Sequence, residues 1–177
     1  MSNVIVETER LLIREWMPED IHSLHKIMSD PDVMKYVWDY EPASRERVED
    51  FVSTCIDESL NRSWTIWPLV MKEEGNLIGY CGFLVRNYGE YKGETEMGWL
   101  LEKKYWGKGL ATEAAKAVLD FGLEKWSFKK VIAAARGENK QSLKIMENIG
   151  MKAVSPSLNP KGRLIPHWVI ENSRTQI

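Results

Sequence analysis

The chain has 177 residues, of which 44% are hydrophobic and 28% charged, and its formal net charge is −2 at pH 7. These values are typical of one globular domain with its own core, so we expect a single domain over residues 1–177, with no electrostatic basis for binding nucleic acid. No apolar run approaches the roughly 18 residues of a membrane span, and the first residues lack the basic start of a signal peptide, which predicts a cytoplasmic protein that does not bind membranes.

The first half of the chain predicts one strand, two helices and a β-hairpin. Residues 10–14 suit a strand, and Pro18 opens a helix whose apolar residues recur at helical spacing. Ser44 is a suitable N-cap for a second helix, which carries a long apolar stripe. The next two strands are 64–71 and 77–85, and a glycine-bearing turn typical of hairpins joins them.

The second half predicts alternating strands and helices. Asn139 is a suitable N-cap for the last helix, and Gly150 is typical of the residue that follows a helix. Residues 154–165 show no clear pattern. The predicted strands are 94–101, 131–135 and 166–171, and the predicted helices are 109–126 and the segment between Asn139 and Gly150.

The turn before the predicted helix 109–126 is the most informative part of the sequence. Backbone amides of such a turn and of the first helical residues point at one spot, which suits a phosphate or pyrophosphate. A P-loop would require Ser or Thr after Gly107-Lys108, where this chain has Gly109. A dinucleotide fingerprint would require Gly or Ala at Thr112. Spacing therefore excludes both of these phosphate loops.

The segment Tyr105-Trp-Gly-Lys-Gly-Leu-Ala-Thr-Glu-Ala115 resembles the coenzyme A loop of the GNAT acetyltransferases, Gln/Arg-x-x-Gly-x-Gly/Ala. Gly109 and Ala111 match this pattern, and Trp106 stands where the pattern has Gln or Arg. The segment looks like the RimJ/RimL branch, which acetylates α-amino groups of ribosomal proteins, and its small-molecule relatives. The resemblance covers roughly residues 8–171. It implies a mixed α/β fold with helices on both faces of a mostly antiparallel sheet, splayed at the fourth and fifth strands.

The resemblance also implies acetyl-CoA as co-substrate. Amides of the turn and of the following helix would hold its pyrophosphate, and amides of the splayed strand would hold the pantetheine arm and the thioester carbonyl. A second segment, from Asn139 to Met151, resembles the family pattern Asn-x-x-Ala/Ser-x-x-Leu-Tyr-x-x-x-Gly-Phe. The implied cofactor-binding residues are Trp99, Leu100, Leu101, Trp106, Gly107, Lys108, Gly109, Leu110, Ala111, Thr112, Asn139 and Ser142.

Two residues are candidates for proton transfer. Alternation puts Glu94 and Glu96 on one face of their strand, and we select Glu96 as the base because it is nearer the splay. Met146 occupies the position of the tyrosine that protonates the leaving thiolate in many relatives, and methionine cannot donate a proton. The resemblance then implies Ser142 for this role. The alternative interpretations are a solvated carboxylate at Glu96 and an ordinary helix residue at Ser142.

The two cysteines, Cys55 and Cys81, fall on predicted apolar faces, which indicates buried reduced thiols and not a nucleophile. We therefore expect direct transfer in a ternary complex. The three histidines do not cluster, so no metal site is predicted.

A high density of aromatic residues suggests a pocket for a cationic acceptor, although such residues can instead pack in the core. The predicted function is N-acetylation of a primary amine, with a protein N-terminal α-amine as the first choice. A small amine, antibiotic or polyamine as acceptor stays open, as does a non-catalytic acyl-CoA-binding domain. The protein is expected to be a monomer or a homodimer. The predicted acceptor-binding residues are Tyr36, Trp38, Tyr40 and Trp64.

Overall fold

Two strands, three helices and three strands precede a βαβ unit, a last helix and two closing strands in the computed structural model, which describes residues 3–37 and 40–172; the third strand of the second group is also the first strand of the βαβ unit. The strands are β1 (Val4–Glu7), β2 (Leu11–Arg14), β3 (Ile66–Met71), β4 (Leu77–Val85), β5 (Thr95–Leu101), β6 (Lys130–Ala134), β7 (Lys152–Leu158) and β8 (Leu164–Glu171). The helices are α1 (Asp20–Met28), α2 (Pro31–Met34), α3 (Arg45–Arg62), α4 (Leu110–Lys125) and α5 (Lys140–Asn148), with a 3-10 turn at Lys103–Tyr105.

The eight strands form one sheet in the order β1-β2-β3-β4-β5-β6-β8-β7. Neighbouring strands are antiparallel except β5 and β6, which are parallel and pair at Thr95–Val131 and Glu96–Ile132, the first two residues of β5. The rest of β5 diverges from β6 and leaves a gap in the sheet. This confirms the predicted mixed α/β fold with a splayed, mostly antiparallel sheet. The splayed strands are the fifth and sixth of the structure because β1 precedes the first predicted strand.

Helices cover both faces of the sheet, because alternation along the strands sends apolar side chains to each face. On one face, Ala114 of α4 shares a core with Phe83 of β4. On the other face, Leu24 of α1 and Val52 of α3 share a core with Tyr80 of β4. Each fully buried large apolar side chain stabilises the fold by about 1.5–3 kcal/mol. The two cores hold β4 and β5 firmly in place beside the gap.

The predicted elements are present in chain order, with Ser44 and Asn139 as N-caps and a left-handed Gly150 at φ 86°. Besides the short 3-10 turn, two strands and one helix among the described residues were not predicted. β1 and α2 have four residues each, too few to show a periodic pattern. Nearly all residues of β7 are exposed, so its sequence has no buried face to mark by alternation.

The two outermost strands, β1 and β7, are both irregular. The register of β1 against β2 shifts between Val4 and Val6. The register of β7 against β8 shifts between Val154 and Ser157, and this interval contains Pro156, which has no N–H to donate. None of the helices in residues 3–37 and 40–172 has the length and apolar character that crossing a membrane requires.

Candidate active site

A groove of about 450 Å³ lies beside the gap between β5 and β6. Its walls come from β5, the turn before α4, the start of α5 and the segment around α2. The remaining predicted cofactor residues, from Gly107 to Thr112, continue from the groove wall at Trp106 into α4. The structure therefore brings the two predicted cofactor segments to one place. The predicted site residues that line the groove are Trp99, Leu100, Leu101, Trp106, Asn139, Ser142 and Tyr36.

The splay turns backbone groups of β5 towards the gap. Glu102 donates its N–H to the carbonyl of Ile78 at the start of β4, with an N–O distance of 2.8 Å. Backbone groups alternate sides along a strand, so Trp99 and Leu101 direct theirs away from β4, whereas the amide of Leu100 belongs to the β4 ladder. The N–H groups of Trp99 and Leu101 are thus directed into the gap.

Two glycines shape the turn before α4. Gly107 and Gly109 have φ angles of 72° and 77°, in the left-handed region that favours glycine. A Cβ at Gly107 would meet nothing within 4 Å, and one at Gly109 would meet Arg10 Nη2 at 3.6 Å, so the space over the turn is open. At the start of the turn, Trp106 Nε1 donates to the carbonyl of Leu101 at 2.8 Å. An open turn that leads into a helix N-terminus fits a pyrophosphate.

Glu113, in the first helical turn of α4, connects the start of this helix to the β1–β2 connection. Its Oε1 accepts from Thr8 Oγ1 at 2.7 Å and from the Arg10 backbone N–H at 3.0 Å, and its Oε2 accepts from Arg10 Nε at 2.7 Å. Arg10 Nη1 also donates to the carbonyl of Lys108 at 3.0 Å. Burial raises the pKa of Glu113, but the hydrogen bonds from Thr8 and Arg10 outweigh burial and hold it below its usual value. No pattern in the sequence predicts this anchor.

The start of α5 presents Asn139 and Ser142 to the groove. Asn139 Oδ1 accepts from the backbone N–H of Ser142 at 3.1 Å and caps the helix, which leaves the Nδ2 group to donate to a ligand. One turn further along, Met146 is buried in the core shared with α4. The side chain at this position therefore points into the core, and Ser142 is the hydroxyl that α5 offers to the groove.

Glu96 is partly buried and paired with a fully buried arginine. Its Oε2 lies 3.0 Å from Arg86 Nη1, and the side chains of Glu96 and Arg86 are 14% and 0% exposed. Arg86 Nε also donates to the carbonyl of Tyr88 at 3.3 Å. Burial raises the pKa of Glu96, and the charge of Arg86 opposes this shift. Glu96 is thus not a solvated carboxylate, whereas Glu94 forms a half-exposed pair with Lys130 at 2.6 Å.

His167 lies near this ion pair and was not predicted as a site residue. It is fully buried on β8, its ring centroid is 4.9 Å from that of Tyr91, and neither ring nitrogen has a hydrogen-bond partner among the described residues. Burial and the charge of Arg86 lower its pKa, so the ring is neutral at pH 7.

The predicted acceptor residues fall into separate places. The rings of Tyr36 and Tyr40 lie 5.8 and 5.0 Å from the guanidinium carbon of Arg136, beside the groove. Trp38 lies outside the described residues. Trp64 instead packs against Phe128, at 5.3 Å between ring centroids, in the core on the α4 face of the sheet. The structure brings Tyr36 and Tyr40 together and separates Trp64 from them.

Both cysteines are buried and reduced, as predicted. Burial raises the pKa of the Cys55 thiol to about 12 and raises that of Cys81 as well. A thiol with so high a pKa does not supply a thiolate nucleophile near neutral pH. Among residues 3–37 and 40–172, no group of three His, Cys, Asp or Glu side chains is arranged to hold a metal ion.

Arg86 and Arg136 also went unpredicted; Arg86 directly follows β4, and Arg136 comes two residues after the end of β6. A signal was available for Arg86, because β4 and β5 are consecutive antiparallel strands, and their pairing brings the residue after β4 close to Glu96. For Arg136 no local signal predicts the two tyrosines beside it, because they come from a distant part of the chain.

The sequence matches the family described as the acetyltransferase (GNAT) domain over residues 10–152. The uncharacterized N-acetyltransferase YnaD of Bacillus subtilis is 32% identical over 83% of this chain and 82% of that protein. The spermidine N(1)-acetyltransferase of Escherichia coli is 26% identical over 75% of this chain and 67% of that protein.

Among solved structures, the ribosomal L7/L12 acetyltransferase RimL in complex with coenzyme A superposes with a TM-score of 0.78 over 96% of this chain and 98% of that chain. The identity is 11%, so this likeness shows the fold alone. The family match covers most of the chain, and the predicted superfamily is confirmed. This chain belongs to the GNAT acetyltransferase family, whose members are N-acetyltransferases that depend on acetyl-CoA.

Proposed function

We propose that the protein transfers the acetyl group of acetyl-CoA to a primary amine, with a protein N-terminal α-amine as the first candidate acceptor. The observation that carries this proposal is the convergence of the glycine turn, the splayed end of β5 and the start of α5 on one groove. The open turn fits a pyrophosphate, and the amides of Trp99 and Leu101 fit the amide-bearing pantetheine arm. When bound, acetyl-CoA supplies the activated acetyl thioester.

The chain's own groups would bind and orient the two substrates. Amides from Gly107 to Thr112 hold the pyrophosphate, and Asn139 Nδ2 donates to the pantetheine arm. The N–H groups of β5 at Trp99 and Leu101 donate to the arm and to the oxygen of the thioester carbonyl. Donors fixed in this way stabilise the charge that develops on that oxygen without reorganising.

Two side chains would handle protons. Glu96 accepts the proton of the attacking amine through a water molecule, and its raised pKa brings it closer to the working range of a base. Ser142 donates a hydrogen bond to the departing sulfur from its place on the groove wall. Arg86 holds the carboxylate of Glu96 in a fixed position. Transfer is direct, because both thiols are buried and a held amine gains much of its rate from proximity.

Two other functions are distinguishable from this one. A small amine, antibiotic or polyamine would use the same cofactor groove, and the spermidine N(1)-acetyltransferase relative favours this alternative. A non-catalytic acyl-CoA-binding domain would bind acetyl-CoA without turnover on any amine, and the methionine at position 146 favours it.

The test combines binding with turnover. Acetyl-CoA at a hundredfold excess over its dissociation constant should stabilise the fold by roughly 2.7 kcal/mol, seen as a raised melting temperature. Release of free thiol is then measured with peptides that have a free N-terminus, with the same peptides blocked, and with polyamines and aminoglycosides. Turnover confined to free N-termini supports the proposal. Turnover confined to small amines would show that the acceptor is a small amine and not a protein N-terminus. Stabilisation by acetyl-CoA without turnover on any amine would identify a non-catalytic binding domain.

A further inference from the structure

The ring of Tyr40 lies among three cations beside the groove. Its centroid is 5.0 Å from Arg136 Cζ, 5.7 Å from Arg163 Cζ and 5.6 Å from Lys161 Nζ. Tyr40 has a φ angle of 70°, a left-handed conformation that is uncommon for an aromatic residue. Such conformations persist only where surrounding contacts hold them, and they concentrate at functional sites.

The two arginines come from different strand ends that the fold brings together. Arg136 follows β6, Arg163 precedes β8, and the antiparallel pairing of Ala134 with His167 aligns these ends. Arg136 also lies 5.8 Å from the ring of Tyr36, which lines the groove. The arginines therefore lie at the side of the groove that holds Tyr36 and Tyr40, two of the residues predicted to bind the acceptor.

Among the described residues, three cations contact the ring of Tyr40, and the carboxylate of Glu138 pairs with one of them. Glu138 Oε1 lies 3.2 Å from Arg136 Nη2. The side chain of Glu138 is 63% exposed, and exposed pairs of this kind are weak enough to exchange partners. The charge of Arg163 acts on the same carboxylate, so the two guanidinium groups have room for a second anion.

We propose that the acceptor carries a carboxylate close to its primary amine, and that Arg136 and Arg163 bind this carboxylate. The inference rests on the proposed function and narrows its substrate class. A guanidinium presents parallel N–H groups that match the two oxygens of a carboxylate. A polyamine would instead bring further positive charge towards both arginines, which disfavours it as an acceptor.

The test compares matched acceptors at a fixed, saturating concentration of acetyl-CoA. One pair is alanine and alaninamide, which differ in the α-carboxylate. The other pair is the C-terminally amidated peptides Ala-Glu-Ala and Ala-Gln-Ala, which differ in one side-chain carboxylate. We expect kcat/KM to be roughly ten- to a hundredfold higher for the acidic member of at least one pair. The pair that responds tells whether a free amino acid or an acidic peptide is the source of the carboxylate.

The variant Arg163→Gln should remove this preference and leave the KM of acetyl-CoA unchanged. Lys116→Gln is the matched control, because Lys116 is an exposed cation on α4 that pairs with Asp120, and its loss should change neither quantity. Equal rates within both pairs overturn the proposal, as does efficient acetylation of spermidine. A raised KM for acetyl-CoA in Arg163→Gln also overturns it, because the arginines would then hold the cofactor. An absence of turnover on every amine is a different result, which contradicts the proposed function itself.

Discussion

The two halves of the groove differ in whether backbone or side-chain groups form them. The proposed cofactor half consists largely of backbone: two left-handed glycines, the start of α4 and the amides at the splayed end of β5. The proposed acceptor half consists of side chains, in which Tyr36 and Tyr40 meet Arg136 and Arg163. A backbone site tolerates only residues that keep its conformation, whereas a side-chain site changes its preference with each substitution. Specificity for the acceptor is therefore free to vary on a constant cofactor site.

The largest expected effect is at Glu96, the proposed base, which belongs to neither half. General-base catalysis contributes about 10²–10⁴-fold, so Glu96→Gln should lower turnover by at least about a hundredfold while the KM of acetyl-CoA stays the same. In the wild type, activity falls as pH falls through the pKa of Glu96. Burial raises that pKa, so the acidic limb should lie above pH 4.5. A pH–rate profile of Glu96→Gln should lack this limb.

A substitution at Arg86 is a second test of the role of Glu96. Arg86→Gln removes the charge that opposes the raised pKa of Glu96, so the acidic limb should move to higher pH. Breaking a buried pair also costs about 3–5 kcal/mol of unfolding free energy, which denaturant titration measures. A pH–rate profile that is identical in wild type, Glu96→Gln and Arg86→Gln would show that Glu96 takes no part in proton transfer.

The second expected effect lies in the cofactor half. Gly109→Asp places a negative charge and a side chain in the turn and should abolish the thermal shift with acetyl-CoA, a loss of about 2.7 kcal/mol at hundredfold excess. Gly75→Asp is the matched control, because Gly75 has a similar φ of 67° in the β3–β4 hairpin. The control should lose stability yet keep the shift. If both variants keep it, the turn does not bind the pyrophosphate.

A smaller effect is expected at Ser142, where the two halves meet. Ser142→Ala removes one hydrogen bond to a charged leaving group, so turnover should fall roughly ten- to a hundredfold. The dissociation constant of acetyl-CoA should change little, as measured by calorimetry. Asn139 and the amides remain in place in this variant. Unchanged turnover would leave Ser142 as an ordinary helix residue.

The smallest effect concerns the anchor of the turn. The folded pKa of Glu113 lies below its usual value, so its stabilisation is present above pH 4.5 and is lost as pH falls through the folded pKa. Glu113→Gln replaces charged hydrogen bonds with neutral ones and should cost about 1 kcal/mol at pH 7. Denaturation at several pH values should show that the difference between variant and wild type disappears in acid. A difference that persists unchanged at low pH would contradict this account.

The cofactor half was largely predictable because its determinants are local. The glycines and Asn139 act on residues a few positions away, where capping and turn chemistry apply directly. The acceptor half depends on pairing between distant segments, and no local pattern predicts that Arg136 and Arg163 meet at Tyr40. The wrong prediction for Trp64 has the same cause, because its position also depends on contacts between distant segments.

Aromatic density in the sequence does not tell which face of the sheet a side chain joins, and the core on the α4 face also needs large rings. The strand β7 escaped prediction for a related reason. A strand exposed on both faces carries no alternation of apolar and polar residues, so its place in the sheet follows from pairing with β8 alone.

The irregular outer strands have a consequence for how copies of this protein can meet. An unbroken outer strand is a template on which a second chain can add a strand and continue the sheet, the route to aggregation. Here the register shift in β1 and the proline in β7 interrupt both templates. Continuous extension of the sheet from one molecule to the next is therefore disfavoured at either side, and any self-association should use side-chain surfaces instead of strand edges.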